Sequence, residues 1–153
     1  MTRATGRSKV DVVLLDGAWA KSLPGVERLV RRAARAALGK KIRSLTVALA
    51  DDKRVRALNK RDRRKDKPTN VLSYPSGEKV FLGDIVLARQ TVWREAREQS
   101  KTPADHLAHL VVHGTLHLQG YDHESDKDAT VMEALETRTL AALGYGDPYD
   151  ERR

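Results

Sequence analysis

The chain has 153 residues, 40% hydrophobic and 33% charged; that size and balance suit one folded domain spanning 1–153 and exclude collagenous, mucin-like and low-complexity classes. It contains no cysteine, which excludes disulfides, iron–sulfur clusters and thiolate nucleophiles and leaves histidine and carboxylate as the only strong metal ligands. Its formal charge is +8, and no apolar run approaches the roughly 20 residues that cross a bilayer, so a cytoplasmic protein without a membrane partner is expected.

Val10 to Leu15 is rich in β-branched residues and stops at Asp16-Gly17, a turn signal, so a first strand is predicted there. From Pro24 to Leu38, Val26, Leu29, Val30, Ala33 and Ala37 recur at helical spacing, and Gly39 follows the end. Arg28, Arg31, Arg32 and Arg35 fall on the opposite face, which reads either as a solvated surface or as a phosphate-binding stripe. Ser44 to Leu49 alternates as a second strand. Asp51 then caps a short helix running to about Lys60. The densest basic stretch, Lys53 to Lys67, ends at Pro68-Thr69-Asn70. Val71 to Tyr74 and Val80 to Leu87 are strand-like runs around Pro75-Ser76-Gly77-Glu78, which predicts an antiparallel hairpin. Helices are expected from about Gln90 to Gln99, Pro103 to Leu118 and Ser125 to Leu143, with Gly146 to Arg153 fraying. Together these predict an α+β single domain, a small mixed sheet with an antiparallel hairpin packed against several helices.

The two ends of the chain are electrically opposite. Residues 1–103 carry 25 basic and 11 acidic side chains, a net of +14, whereas residues 104–153 carry 4 and 10, a net of −6. A polyanion is drawn to the first part, and a cation site belongs with the second.

All five histidines lie between positions 106 and 123, and three form the pattern H-x3-H-x5-H at His113, His117 and His123. Residues four apart on a helix differ by about 40° in azimuth and one turn in height, so two imidazoles reach one ion. Gly120 offers the left-handed backbone that ends a helix and turns His123 back toward the same point. Three neutral nitrogens on a zinc ion leave a fourth position for water, the mark of a catalytic site. The opposing reading is a seam of imidazoles, His106, His109, His113 and His117, packed on the sheet and bonded to backbone. His106 and His109 are expected to be structural or to support the ligands; Asp122 and Glu124 either orient His123 or are solvated. In H-E-x-x-H peptidases a glutamate follows the first histidine as general base, and here that place holds Gly114. Trp19 and Trp93 are expected in the core rather than as stacking platforms.

The run His113 to His123, together with Leu58-Asn59, Arg63 to Pro75 and Leu82 to Val86, resembles the YbeY family of bacterial rRNA maturation factors. The match runs in order over residues 58–123. The resemblance implies a zincin-like metal helix, one Zn2+ ion per chain on His113, His117 and His123, and Arg63 as the catalytic arginine. It also implies single-strand-specific endoribonuclease activity on ribosomal RNA of the small subunit, in 16S rRNA 3′-end maturation and ribosome quality control. A ribosomal protein or a ribosome-assembly GTPase is a further partner that it admits. Attack on the phosphodiester would come from a metal-activated water or from the RNA's own 2′-hydroxyl. Within the basic stretch, Arg54, Arg56, Lys60, Arg61, Arg64, Lys65 and Lys67 are the candidate RNA-binding residues. Three positions depart from the family's usual pattern: Arg64 replaces a glycine, Asp62 an aromatic and Tyr74 a phenylalanine, which makes Arg64 the alternative to Arg63. Two other functions compete: a non-catalytic ribosome assembly factor with a structural metal, and a zinc peptidase, against which Gly114 argues.

Overall fold

The computed structural model describes residues 7–65 and 69–150. Among these residues four strands, β1 (Lys9–Leu14), β2 (Ser44–Ala50), β3 (Val71–Pro75) and β4 (Phe81–Ala88), pair in the order β1-β2-β4-β3. β1, β2 and β4 run parallel, and β3 pairs antiparallel with β4, Ser73 lying opposite Ile85. The expected mixed sheet with one hairpin is therefore present, and the hairpin places β3 on an edge.

Among the described residues six helices accompany this sheet: α1 (Ala18–Ser22), α2 (Val26–Leu38), α3 (Asp52–Arg63), α4 (Arg89–Glu98), α5 (Pro103–Leu118) and α6 (Asp126–Ala142). Side chains alternate along a strand, so each strand feeds two faces. Leu45, Val47, Leu49, Ile85 and Leu87 join residues of α2 and α5 in the main core. Ala48, Ala50, Leu72, Tyr74, Val86 and Ala88 form a second cluster with Val55 and Leu58 of α3. The metal-candidate helix and the basic helix thus lie on opposite faces.

Several expectations change. Helix α1 was not foreseen; five residues are too short for periodicity to register. Its Trp19 is fully buried, donates from Nε1 to the Ala50 carbonyl at 2.8 Å and meets Trp93 edge-to-face at 5.2 Å, so both tryptophans are structural. Helix α3 runs to Arg63 rather than stopping near Lys60, because nothing before Arg64 breaks it; Arg64 takes a left-handed φ of 56° and ends it. Asp51 caps it as expected, accepting from the Arg54 amide at 2.8 Å. Arg31 and Arg35 are not merely solvated. Their Nε atoms donate to the Val10 and Ser8 carbonyls of the first strand region at 3.2 and 3.0 Å, covering backbone acceptors on an edge strand.

The tail does not fray at Gly146. Lys101 Nζ donates to the Pro148 carbonyl at 3.0 Å, and the Tyr149 ring lies edge-on to His109 at 5.4 Å. Residues 151–153 and the segment 66–68, which includes Lys67, lie outside the described residues.

Candidate functional site

Helix α5 begins at a Thr102 cap, whose hydroxyl accepts from the Asp105 amide, followed by Pro103 in the first turn. It ends with Gly120 at φ 103°, a conformation that L-residues rarely adopt, and there the chain reverses toward His123. Asp122 holds that turn by accepting from the Glu124 amide at 3.2 Å; it shapes the loop carrying His123 rather than bonding to the imidazole.

His113, His117 and His123 form a triangle, with ring centres 6.2, 5.5 and 6.1 Å apart. Among the described residues, no three His, Asp or Glu side chains are gathered closely enough to hold an ion as they stand. Three nitrogens about 2.1 Å from one tetrahedral ion would bring ring centres to roughly 5 Å, so the triangle is wider than a ligating set. His123 is exposed and, among the described residues, makes no hydrogen bond, so its ring is the least held of the three.

The outward nitrogens support the same donor set. His113 Nδ1 lies 2.6 Å from Glu136 Oε2, and His117 Nδ1 lies 2.9 Å from the Tyr121 carbonyl. Carboxylate and carbonyl oxygens only accept, so each Nδ1 carries a proton, and in the neutral imidazole each Nε2 keeps its lone pair. A ligating histidine has this arrangement, with its second nitrogen fixed by an outer partner. The residues present therefore fit a borderline divalent ion such as zinc.

Glu136 was not anticipated from the sequence. It is 1% exposed, a buried carboxylate that must be paired to be tolerated. His109 Nε2 at 2.8 Å and the Tyr149 hydroxyl reach its Oε1, while His113 takes Oε2. Burial alone would raise its pKa, but these three donors outweigh burial and hold it down at about 2. Burial also pushes the His109 imidazole down, against the pull of Glu136, and pushes the Tyr149 phenol up, reinforced by the same carboxylate. His106 is likewise buried, with Nε2 2.8 Å from Glu95 Oε1. His106 and His109 thus support the helix, as expected, and neither joins the triangle.

Gly114 faces the sheet. A Cβ there would lie 3.1 Å from Cδ1 and 3.2 Å from Cγ2 of Ile85, so position 114 has no room for the glutamate of H-E-x-x-H.

Arg63 is anchored on β3. Its Nη2 donates to the Ser73 carbonyl at 2.7 Å, and its guanidinium lies 5.3 Å over the Tyr74 ring, within cation–π range. The Tyr74 hydroxyl donates to Asp62 at 2.9 Å, and Asp62 takes a two-pronged bond from Arg61 at 2.6 and 2.9 Å. Those bonds, Arg61's first, hold the Asp62 carboxyl below its usual range. Positions 62 and 74, read separately as departures, are therefore bonded to each other, and Arg61 is engaged with an acid. Among the described residues no hydrogen bond or ion pair joins Arg63 to a histidine. Arg54, Arg56, Lys60 and Arg64 are exposed on or just after α3, and Lys65 follows, also exposed.

The family model described as Endoribonuclease YbeY matches residues 19–144. The chain belongs to the YbeY endoribonuclease family. Curated YbeY endoribonucleases similar to it include one from Azorhizobium caulinodans, 49% identical over 153 residues, covering 92% of this chain and 96% of that protein. Another, from Paramagnetospirillum magneticum, is 48% identical over 150 residues, covering 88% and 92%. The solution structure of TM1509 from Thermotoga maritima matches with a TM-score of 0.57 and 26% identity, over 92% of this chain and 99% of that one. As a YbeY member the chain is an endoribonuclease. No helix among the described residues is long and apolar enough to cross a membrane.

Proposed function

We propose that this YbeY-family endoribonuclease is a zinc-dependent, single-strand-specific enzyme acting in 16S rRNA 3′-end maturation and ribosome quality control in the cytoplasm. The whole chain, 1–153, serves as one hydrolase domain. The observation that supports this reading most is the triangle of His113, His117 and His123, with two outward nitrogens already fixed. These three would hold the zinc ion. When bound, zinc supplies a Lewis acid that polarises a phosphoryl oxygen and acidifies a water.

The chain's own residues do the rest. Glu136 and the Tyr121 carbonyl keep the protons of His113 and His117 on Nδ1 and aim both rings. Arg63 stabilises the extra negative charge that develops on the phosphodiester; it spends one Nη on Ser73 and rests on Tyr74, so its charge is pre-positioned at the β3 edge. Arg54, Arg56, Lys60, Arg64, Lys65 and Lys67 hold the strand's phosphates, with Arg61 contributing less because Asp62 already pairs it. An RNA strand crossing β3 would touch the cationic α3 face on one side and the histidines on the other. The small ribosomal subunit, with a ribosomal protein or assembly GTPase, would present that strand.

The test is a His113→Ala strain and protein. A folded, metal-depleted variant should accumulate unprocessed 16S rRNA 3′ ends and lose cleavage of single-stranded RNA in vitro. Normal rRNA ends from such a variant would reduce the protein to a non-catalytic assembly factor.

A further inference from the structure

Beside His113 lies an open groove of about 370 Å³, within the roughly 300–1,000 Å³ of pockets that take small organic groups. Asn70 and Val71 at the start of β3, Leu110 and His113 of α5, Gln99 after α4 and Tyr149 of the tail shape it. Its chemistry is specific in three respects.

Tyr149 is 42% exposed although its hydroxyl is committed to Glu136. An accessible aromatic residue anchored by its polar end offers a stacking surface. In the same groove two hydrogen-bonding groups are unspent: Asn70 Nδ2 donates to Glu95 at 2.9 Å, but its Oδ1, like the whole Gln99 side-chain amide, has no partner among the described residues. Finally, among the described residues no carboxylate lines the groove itself, and the two acids bonded to its lining, Glu95 and Glu136, are each paired with histidine. Val71 and Leu110 supply apolar contact beneath. A planar aromatic group with donors and acceptors on its edge, attached to a phosphate at the histidines, meets all three conditions. Amides of Asn and Gln are also the side chains that pair most readily with base edges.

We propose that this groove binds one nucleobase of the RNA strand, that of the nucleotide adjoining the scissile phosphate, and sets the enzyme's base preference at that position. Its placement rests on the reading that cleavage is centred on His113, His117 and His123. Tyr149 stacks on the base, while Asn70 and Gln99 read its edge.

Two measurements separate the groove from that reading. In the first, the protein is titrated with each of the four nucleoside 5′-monophosphates while the side-chain amide signals of Asn70 and Gln99 are followed by NMR. Saturable shifts of both are expected with at least one nucleotide, weakened in Gln99→Ala. No shift at either amide with any of the four, at millimolar concentration, overturns the proposal whatever the role of the histidines. In the second, single-stranded oligoribonucleotides carry one abasic ribose stepped past a fixed cleavage position. Loss of the base at one adjoining position should lower kcat/KM by roughly five- to a hundredfold, chiefly through KM, and Gln99→Ala should change base preference at that position alone. Equal effects at all positions, or an unchanged preference in Gln99→Ala, contradict it. Full cleavage by His117→Ala would instead remove the metal-centred reading, with the NMR titration still deciding the groove.

Discussion

Glu136 Oε2 lies 2.6 Å from Nδ1 of His113, and this carboxylate from α6 decides which nitrogen of the α5 histidine faces outward. The pairing ties the acidic C-terminal part of the chain to its candidate metal centre. Because Glu136 is buried and also holds His109 and Tyr149, it links two helices and the tail in one network.

Glu136→Gln keeps the shape but loses the charge, and outer partners of ligating histidines typically contribute ten- to a hundredfold in metal affinity. Zinc affinity measured by chelator competition should fall by about that range in a protein that remains folded. Unchanged affinity would mean that Glu136 serves packing alone.

Arg63→Ala should lower kcat/KM on single-stranded RNA by about a hundredfold, the order lost when one pre-positioned donor to a developing anion is removed. Lysine at this position should recover only a small part, since it lacks the fork. Tyr74→Phe keeps the ring under the guanidinium and removes only the bond to Asp62, so steady-state kinetics should change less than threefold.

Gly114→Ala sets a helix gain of about 1 kcal/mol against overpacking on Ile85. Both Cδ1 and the stiff, branched Cγ2 of a fully buried residue stand in the way, and overpacking costs about 1–3 kcal/mol. Thermal or denaturant unfolding should therefore show net destabilisation, reduced when Ile85→Val is added.

Asp16 accepts from Arg89 Nε at 2.6 Å and from the Ala18 amide at 3.1 Å. The Arg89 bond is the main cause that lowers its pKa. A depressed carboxyl contributes stability above its unfolded pKa of about 4 and loses it as pH falls through the folded value. Asp16→Asn should therefore be less stable than the parent at pH 7, by about 1 kcal/mol or less for a partly exposed pair. The difference should shrink below pH 4, as followed by urea unfolding across pH.

Much of this architecture was legible because local signals agreed with the global fold. Helix α5 matches its expected bounds, Pro103 to Leu118, since proline marks its start and Gly120 follows its end. The histidine spacing survives folding because four residues on a helix return to one face. Arg63 was legible only through resemblance; its partners on β3, Ser73 and Tyr74, are ten and eleven residues away in sequence. Glu136 escaped notice because an isolated acid on a helix reads as surface. Its position midway in the row Met132, Glu136, Leu140, all buried at a spacing of four, was the available signal. Tyr149 left no local trace, since its role depends on the tail folding back over α5.

The most direct test of the metal-centred account is zinc titration into metal-free protein, following cleavage of single-stranded RNA and bound metal together. Cleavage should rise to a plateau at one zinc per chain and be absent in His113→Ala, His117→Ala and His123→Ala. Undiminished cleavage by metal-free protein, or by any of these variants without bound zinc, would contradict the account.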